Sequence, residues 1–196
     1  CGEADGPVRM TSRGRTLIVG SDPDAVAACG LRLARHLSCL MVVEAPAPPE
    51  APKAPPHTPD APSDALLWVR HLHIRGGLGH FRVSTRKDGR TTPLRRAFPG
   101  VPDRFDLVLD LRPPGARDQV LPPPGYYAPE GDSAALGRML DHIAEMTGVF
   151  EKPRFVSFHE DFCAGPDACD RCRQACPTKA ISARDGALQL DPSACP

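Results

Sequence analysis

The chain has no excess of charge of either sign: 24 Lys and Arg balance 24 Asp and Glu. A dedicated nucleic-acid binder normally carries a basic surplus, so the balance argues against that class. No run approaches the roughly 18 apolar residues that a membrane span needs. The N-terminus, Cys1-Gly2-Glu3-Ala4-Asp5-Gly6, lacks a charged stretch followed by an apolar one. No signal peptide is therefore legible. Nucleophile-elbow, P-loop and zinc-protease motifs are also missing, so no catalytic constellation is visible.

What the chain has in surplus is proline and cysteine. Its 196 residues allow one domain, or one domain plus a small module. Proline occurs 24 times, more than twice the usual ~5%, and that excess must sit in linkers and loops. The eight cysteines are lopsided. Cys1, Cys29 and Cys39 lie early, whereas Cys163, Cys169, Cys172, Cys176 and Cys195 crowd the C-terminal end. Such crowding points to a metal site more than to a distributed disulfide framework, and thiolates kept for a metal imply a reducing cytoplasm. The chain starts without Met and stops just after Cys195, which reads as a fragment.

Residues 1–15 are Gly-rich and polar and read as a disordered tail. Thr16-Leu17-Ile18-Val19-Gly20 reads as a buried strand, with Asp22 as the cap and Pro23 as the first residue of the helix that follows. Val26, Cys29, Leu33 and Leu37 recur at helical spacing, and Leu40-Met41-Val42-Val43 is a second strand. Strand, helix and strand together form a parallel βαβ unit. The expected fold is thus α/β: a Rossmann-like domain over 16–149, with a Pro/Ala-rich insertion at 45–64. A partial α+β module over 150–196, which holds the crowded cysteines, follows it. Phe105 to Leu111 is a further strand, and a helix capped by Asp132 or Ser133 runs to about Thr147, ended by Gly148. Asp185-Gly186 between two short apolar runs signals a hairpin.

The chemistry lies in Cys163-x5-Cys169-x2-Cys172-x3-Cys176-Pro177. Apart from its longer first spacing, this is the pattern C-x2-C-x2-C-x3-C-P that wraps an iron–sulfur cube. Cysteines two residues apart hold a tight loop around the cube, and that loop can aim backbone N–H groups at its sulfurs. Cys195 follows the hairpin. Four-cysteine zinc sites use similar cysteine pairs, so a zinc-stabilised binding module is the alternative. Cys29 and Cys39 read as core residues.

Phe162 to Pro196 resembles a bacterial dicluster [4Fe-4S] ferredoxin domain. Phe105 to Leu111, Pro122 to Pro129 and Phe150 to Phe155 look like larger bacterial iron–sulfur proteins, in which a Rossmann-like region precedes that domain. The resemblance implies that Cys163, Cys169 and Cys172 hold one cluster, and that Cys176 and Cys195 hold part of a second. It places the remaining ligands beyond Pro196. It also implies single-electron transfer to or from a redox partner protein. The chain then reads as a carrier or redox subunit rather than a stand-alone enzyme, with the iron–sulfur subunit of a larger flavin- or nucleotide-dependent oxidoreductase as a further alternative.

Two other features carry competing readings. The loop Gly20-Ser21-Asp22-Pro23-Asp24 lacks the Gly-x-Gly-x-x-Gly pattern, and its two carboxylates would repel a phosphate at the helix N-terminus. Glu44 sits where a ribose-binding acid would. Between Arg70 and Arg104, nine basic residues (70, 75, 82, 86, 87, 90, 95, 96 and 104) meet only Asp88 and Asp103. That stretch is either a docking patch for an acidic redox partner or a solvated face balanced elsewhere.

Overall fold

A computed structural model describes residues 7–45, 66–87, 89–117, 121–130, 133–153, 163–192 and 194. Beyond Ala45, the expected Pro/Ala-rich insertion lies outside the described residues, as do Cys1 and Cys195.

The centre is a five-stranded parallel sheet. Its strands are β2 (Arg15–Gly20), β3 (Ser38–Glu44), β4 (Leu66–Val69), β8 (Leu107–Asp110) and β9 (Tyr126–Tyr127), in the order β4-β3-β2-β8-β9. Parallel strands covered on both sides need apolar residues at successive positions. That requirement explains the runs Leu17-Ile18-Val19, Met41-Val42-Val43 and Leu107-Val108-Leu109, all of them buried. Alternation along each strand then sorts these residues between two cores. Ile18, Met41, Leu107 and Leu109 face one core. Leu17, Val19, Val42 and Val108 face the other.

Helices cover the first face. α1 (Pro23–Leu33) presents Val26, Cys29 and Leu33, and α3 (Ser133–Ala144) presents Leu140 and Ile143. Asp22 caps α1 as expected, its side chain accepting the Asp24 N–H at 2.9 Å. Gly30 lets α1 settle onto β3, since a Cβ there would lie 2.1 Å from the Met41 sulfur.

The second face is covered by a three-stranded antiparallel sheet of β5 (Leu72–Arg75), β6 (Arg82–Lys87) and β7 (Arg90–Pro93), followed by the short α2 (Leu94–Ala97). Leu72, Ile74, Val83 and Leu94 enter the core there with Phe81 and Phe105. The molecule is therefore α/β with a parallel sheet, as expected.

Two expectations are corrected. Residues 1–15 are not all tail: β1 (Val8–Ser12) pairs antiparallel with β10 (Gly148–Lys152). Val8, Met10 and Ser12 are buried and Arg9 and Thr11 are exposed, so the segment is an amphipathic strand. Gly148 does not end the preceding helix. α3 stops at Ala144, and Gly148, at φ +118°, opens β10.

Candidate metal centre

The cysteine segment begins with a turn around Gly165, at φ +88°. The Gly165 carbonyl accepts the N–H groups of Ala168 and Cys169 at 3.3 and 3.0 Å. The five-residue spacer after Cys163, three residues longer than the pattern's, thus folds into a turn of its own, which carries Cys169 back toward the following helix. The Gly165 N–H donates to Cys163 Sγ at 3.4 Å. α4 (Arg171–Ala175) is a single short helix that carries Cys172, and the Cys176 N–H closes it on the Cys172 carbonyl at 3.1 Å.

Cys176 is the most elaborated of the described cysteines. Pro177 turns the chain, and Lys179, at φ +54°, bends it back over the sulfur. The Ala180 N–H then donates to Cys176 Sγ at 3.3 Å, and the Thr178 hydroxyl lies 3.6 Å from it. Burial by itself would raise this thiol. The Thr178 hydroxyl and the N–H groups of Ala180, Ile181 and Thr178 outweigh burial and hold it below its ordinary value. An N–H and a hydroxyl turned toward one sulfur suit a thiolate ligand.

The hairpin follows as expected, with β11 (Ile181–Arg184) pairing β12 (Ala187–Leu190). Asp185 and Gly186 both have positive φ, at 53° and 76°. That is the tight type I′ turn that an Asp-Gly pair favours. After β12, the Asp191 carboxylate meets His80 Nε2 at 3.1–3.2 Å. This contact ties the cysteine segment to the turn between β5 and β6.

Cys163, Cys169, Cys172 and Cys176 thus fall in one run of turn, short helix and turn, and all four are free thiols. Cys163, Cys169 and Cys176 are half-buried and Cys172 is exposed. Cys195 lies outside the described residues. Among the described residues, no three His, Cys, Asp or Glu side chains converge as ligands of a single ion would. The donor set is sulfur alone, and Cys176 already receives the Ala180 N–H, which suits a sulfur-rich cluster in kind. Cys29 and Cys39 stand apart from it. Burial raises both thiols, Cys39 to about 11, and both pack with the helical core.

The first βαβ loop is tightly packed: a Cβ on Gly20 would lie 2.7 Å from Val26 and 3.2 Å from Leu111, and the Asp22 carboxylate itself accepts the Asp24 N–H at the N-terminus of α1. Glu44 is engaged elsewhere. It belongs to a buried charge cluster at the carboxyl end of the parallel sheet that sequence reading missed. Arg112 is buried; its Nη1 donates to Glu44 at 2.6 Å and to the Leu72 carbonyl at 3.0 Å. Its Nη2 donates to Asp110 at 2.7 Å, its Nε donates to both Asp110 oxygens, and the Tyr126 hydroxyl donates to Asp110 as well. Burial alone would lower the Arg112 pKa, but Asp110 and Glu44 outweigh it and hold the pKa above its ordinary value. The sequence signal was an Asp-Leu-Arg step at the end of an apolar strand.

Among the described residues, no helix is long and apolar enough to cross a membrane. Protein-family models, curated proteins and solved structures give no match to this chain.

Proposed function

We propose that the protein is a ferredoxin-type electron carrier or redox subunit, using [4Fe-4S] clusters in a reducing cytoplasm. One observation carries the reading: a Cys-x2-Cys-x3-Cys-Pro run whose last thiol accepts the Ala180 N–H, lies beside the Thr178 hydroxyl and is followed by a hairpin. Under this reading Cys163, Cys169 and Cys172 serve one cluster, and Cys176 and Cys195 serve a second. When bound, the clusters supply a reversible one-electron change.

The chain's own residues would do the rest. The Gly165 and Ala180 N–H groups and the Thr178 hydroxyl offset negative charge on the sulfurs, which favours the reduced state. The Asp191 to His80 contact fixes the segment against the body. The order β4-β3-β2-β8-β9 supports a Rossmann-like reading of that body, since the first three strands run outward one way and the next two the other. The Asp22 carboxylate at the N-terminus of α1 favours a structural role for the body over a nucleotide site.

The test is iron, zinc and acid-labile sulfide analysis of protein purified without oxygen. Iron and sulfide in equal amounts, with visible absorbance that bleaches and returns on a redox cycle, are expected. Stoichiometric zinc without sulfide would overturn the reading.

A further inference from the structure

We infer that the outer face of the β5–β7 sheet is a docking surface for an acidic face of a protein partner. The existence of the surface does not depend on the electron-transfer reading; only the partner's identity as a redox protein rests on it.

The strands sort the basic stretch onto one side. Leu72, Ile74, Val83 and Thr85 point inward and are buried. The alternate positions Arg75, Arg82 and Arg86 stand on the opposite face and are exposed. Register then places Arg75 directly across from Arg82. Like charges directly opposed on neighbouring strands destabilise a sheet, so folding alone does not favour this pair. No ion pair of the described residues involves Arg75, Arg82 or Arg86, whereas Arg95 meets Asp103 at 3.3 Å. Arg9 meets Glu151 and Arg32 meets Asp141, while Arg13, Arg35 and Arg138 are exposed elsewhere without an ion pair; what sets this face apart is the pairing of Arg75 with Arg82 across neighbouring strands. The face therefore holds unneutralised positive charge in a chain whose total is balanced.

Its position gives it a use. Arg75 and Arg82 flank the turn from Gly76 to Phe81, and His80 in that turn holds Asp191 of the cysteine segment. A partner seated on the arginines would border that segment. An acidic protein fits better than a nucleic acid. The chain has no basic surplus, and the outward positions His73, Arg75, Arg82, Ser84, Arg86 and Thr91 offer no Phe, Tyr or Trp on which a base could stack. Charge complementarity of this kind speeds encounter and weakens with salt.

The test is fluorescence anisotropy of labelled polyglutamate, and of an oligothymidylate of matched charge, titrated with the whole protein at two salt concentrations. The face variant combines Arg75→Glu, Arg82→Glu and Arg86→Glu. The control combines Arg13→Glu, Arg35→Glu and Arg138→Glu, which are exposed positions away from this sheet. The surface predicts salt-sensitive polyglutamate binding that falls at least about tenfold in the face variant and less than about twofold in the control. Equal loss in both variants, no polyglutamate binding, or tighter binding of the oligothymidylate would overturn it. Should the glutamate variant fail to fold, the Arg→Gln version carries the same prediction with a smaller loss. Iron and sulfide are assayed in parallel. Face-specific loss of binding in a protein without iron would leave the surface standing and remove the redox reading. Iron present with binding unchanged would do the reverse.

Discussion

The α/β body and the cysteine segment are stabilised in opposite ways. In the body, two apolar cores sandwich a parallel sheet, and even its buried charges are paired, Arg112 with Asp110 and Glu44. From Cys163 to Ala194, the buried residues among those described are only Thr178, Ala180 and Ala194. The segment has one five-residue helix and a two-stranded hairpin, neither of which is stable on its own. A region so poor in buried apolar surface needs another source of order, and metal-bound thiolates supply it in small domains. The comparison separates a scaffold that folds from its own residues from a segment that, under the proposed reading, is completed by what it binds.

The strongest way to break the comparison is to damage the body's charge cluster. Arg112→Met leaves Asp110 buried without its partner, and should destabilise the body by about 3–5 kcal/mol. Urea unfolding followed by Trp68, the chain's one tryptophan, measures this. Adding Asp110→Leu should recover part of the loss. Failure of Arg112→Met to shift the midpoint would mean that the cluster does not hold the body together.

Next in size is Gly30→Ala. It pushes a methyl into the Met41 side chain at the α1 to β3 contact, and about 1–3 kcal/mol of destabilisation is expected. The cap variant Asp22→Ala should cost about 1 kcal/mol.

Alkaline titration probes the same body. The two tyrosines are raised, Tyr127 by burial to about 12, and Tyr126 further by burial and the Asp110 charge. Their folded values lie above the unfolded value of about 10. The stability they confer is therefore complete below about pH 10 and lost as pH rises through the folded values. Tyrosinate absorbance should stay flat in folded protein at a pH where urea-unfolded protein is already half ionised. Coincident titrations would contradict this.

The smallest effect sharpens the comparison from the other side. Cys176→Ser should leave the Trp68 unfolding midpoint within about 0.5 kcal/mol of wild type while the iron and sulfide content falls. A large shift in the body would mean that the two regions are not independent.

Local features were legible in the sequence and assembled ones were not. Asp22 and Pro23 announced α1, the apolar runs announced β2, β3 and β8, and Asp185-Gly186 announced its hairpin. Each depends on a few adjacent residues. The pairing of β1 with β10 joins segments about 140 residues apart, and only the alternation of Val8, Met10 and Ser12 hinted at it. Glu44 and Arg112 lie 68 residues apart, so their bond follows from strand order rather than from any motif. His80 and Asp191 are 111 residues apart and met only in the fold. For the cysteines, spacing identified the candidate ligands, but the N–H groups around Cys176 depend on the positive φ of Lys179, which no residue type there announces.

The central claim is that the cysteine segment carries an iron–sulfur cluster that accepts single electrons. Low-temperature electron paramagnetic resonance of anaerobically purified, dithionite-reduced protein tests it most directly. The account predicts a signal that vanishes on reoxidation and is diminished by Cys176→Ser. A silent spectrum from fully reduced protein that holds zinc and no sulfide would contradict it.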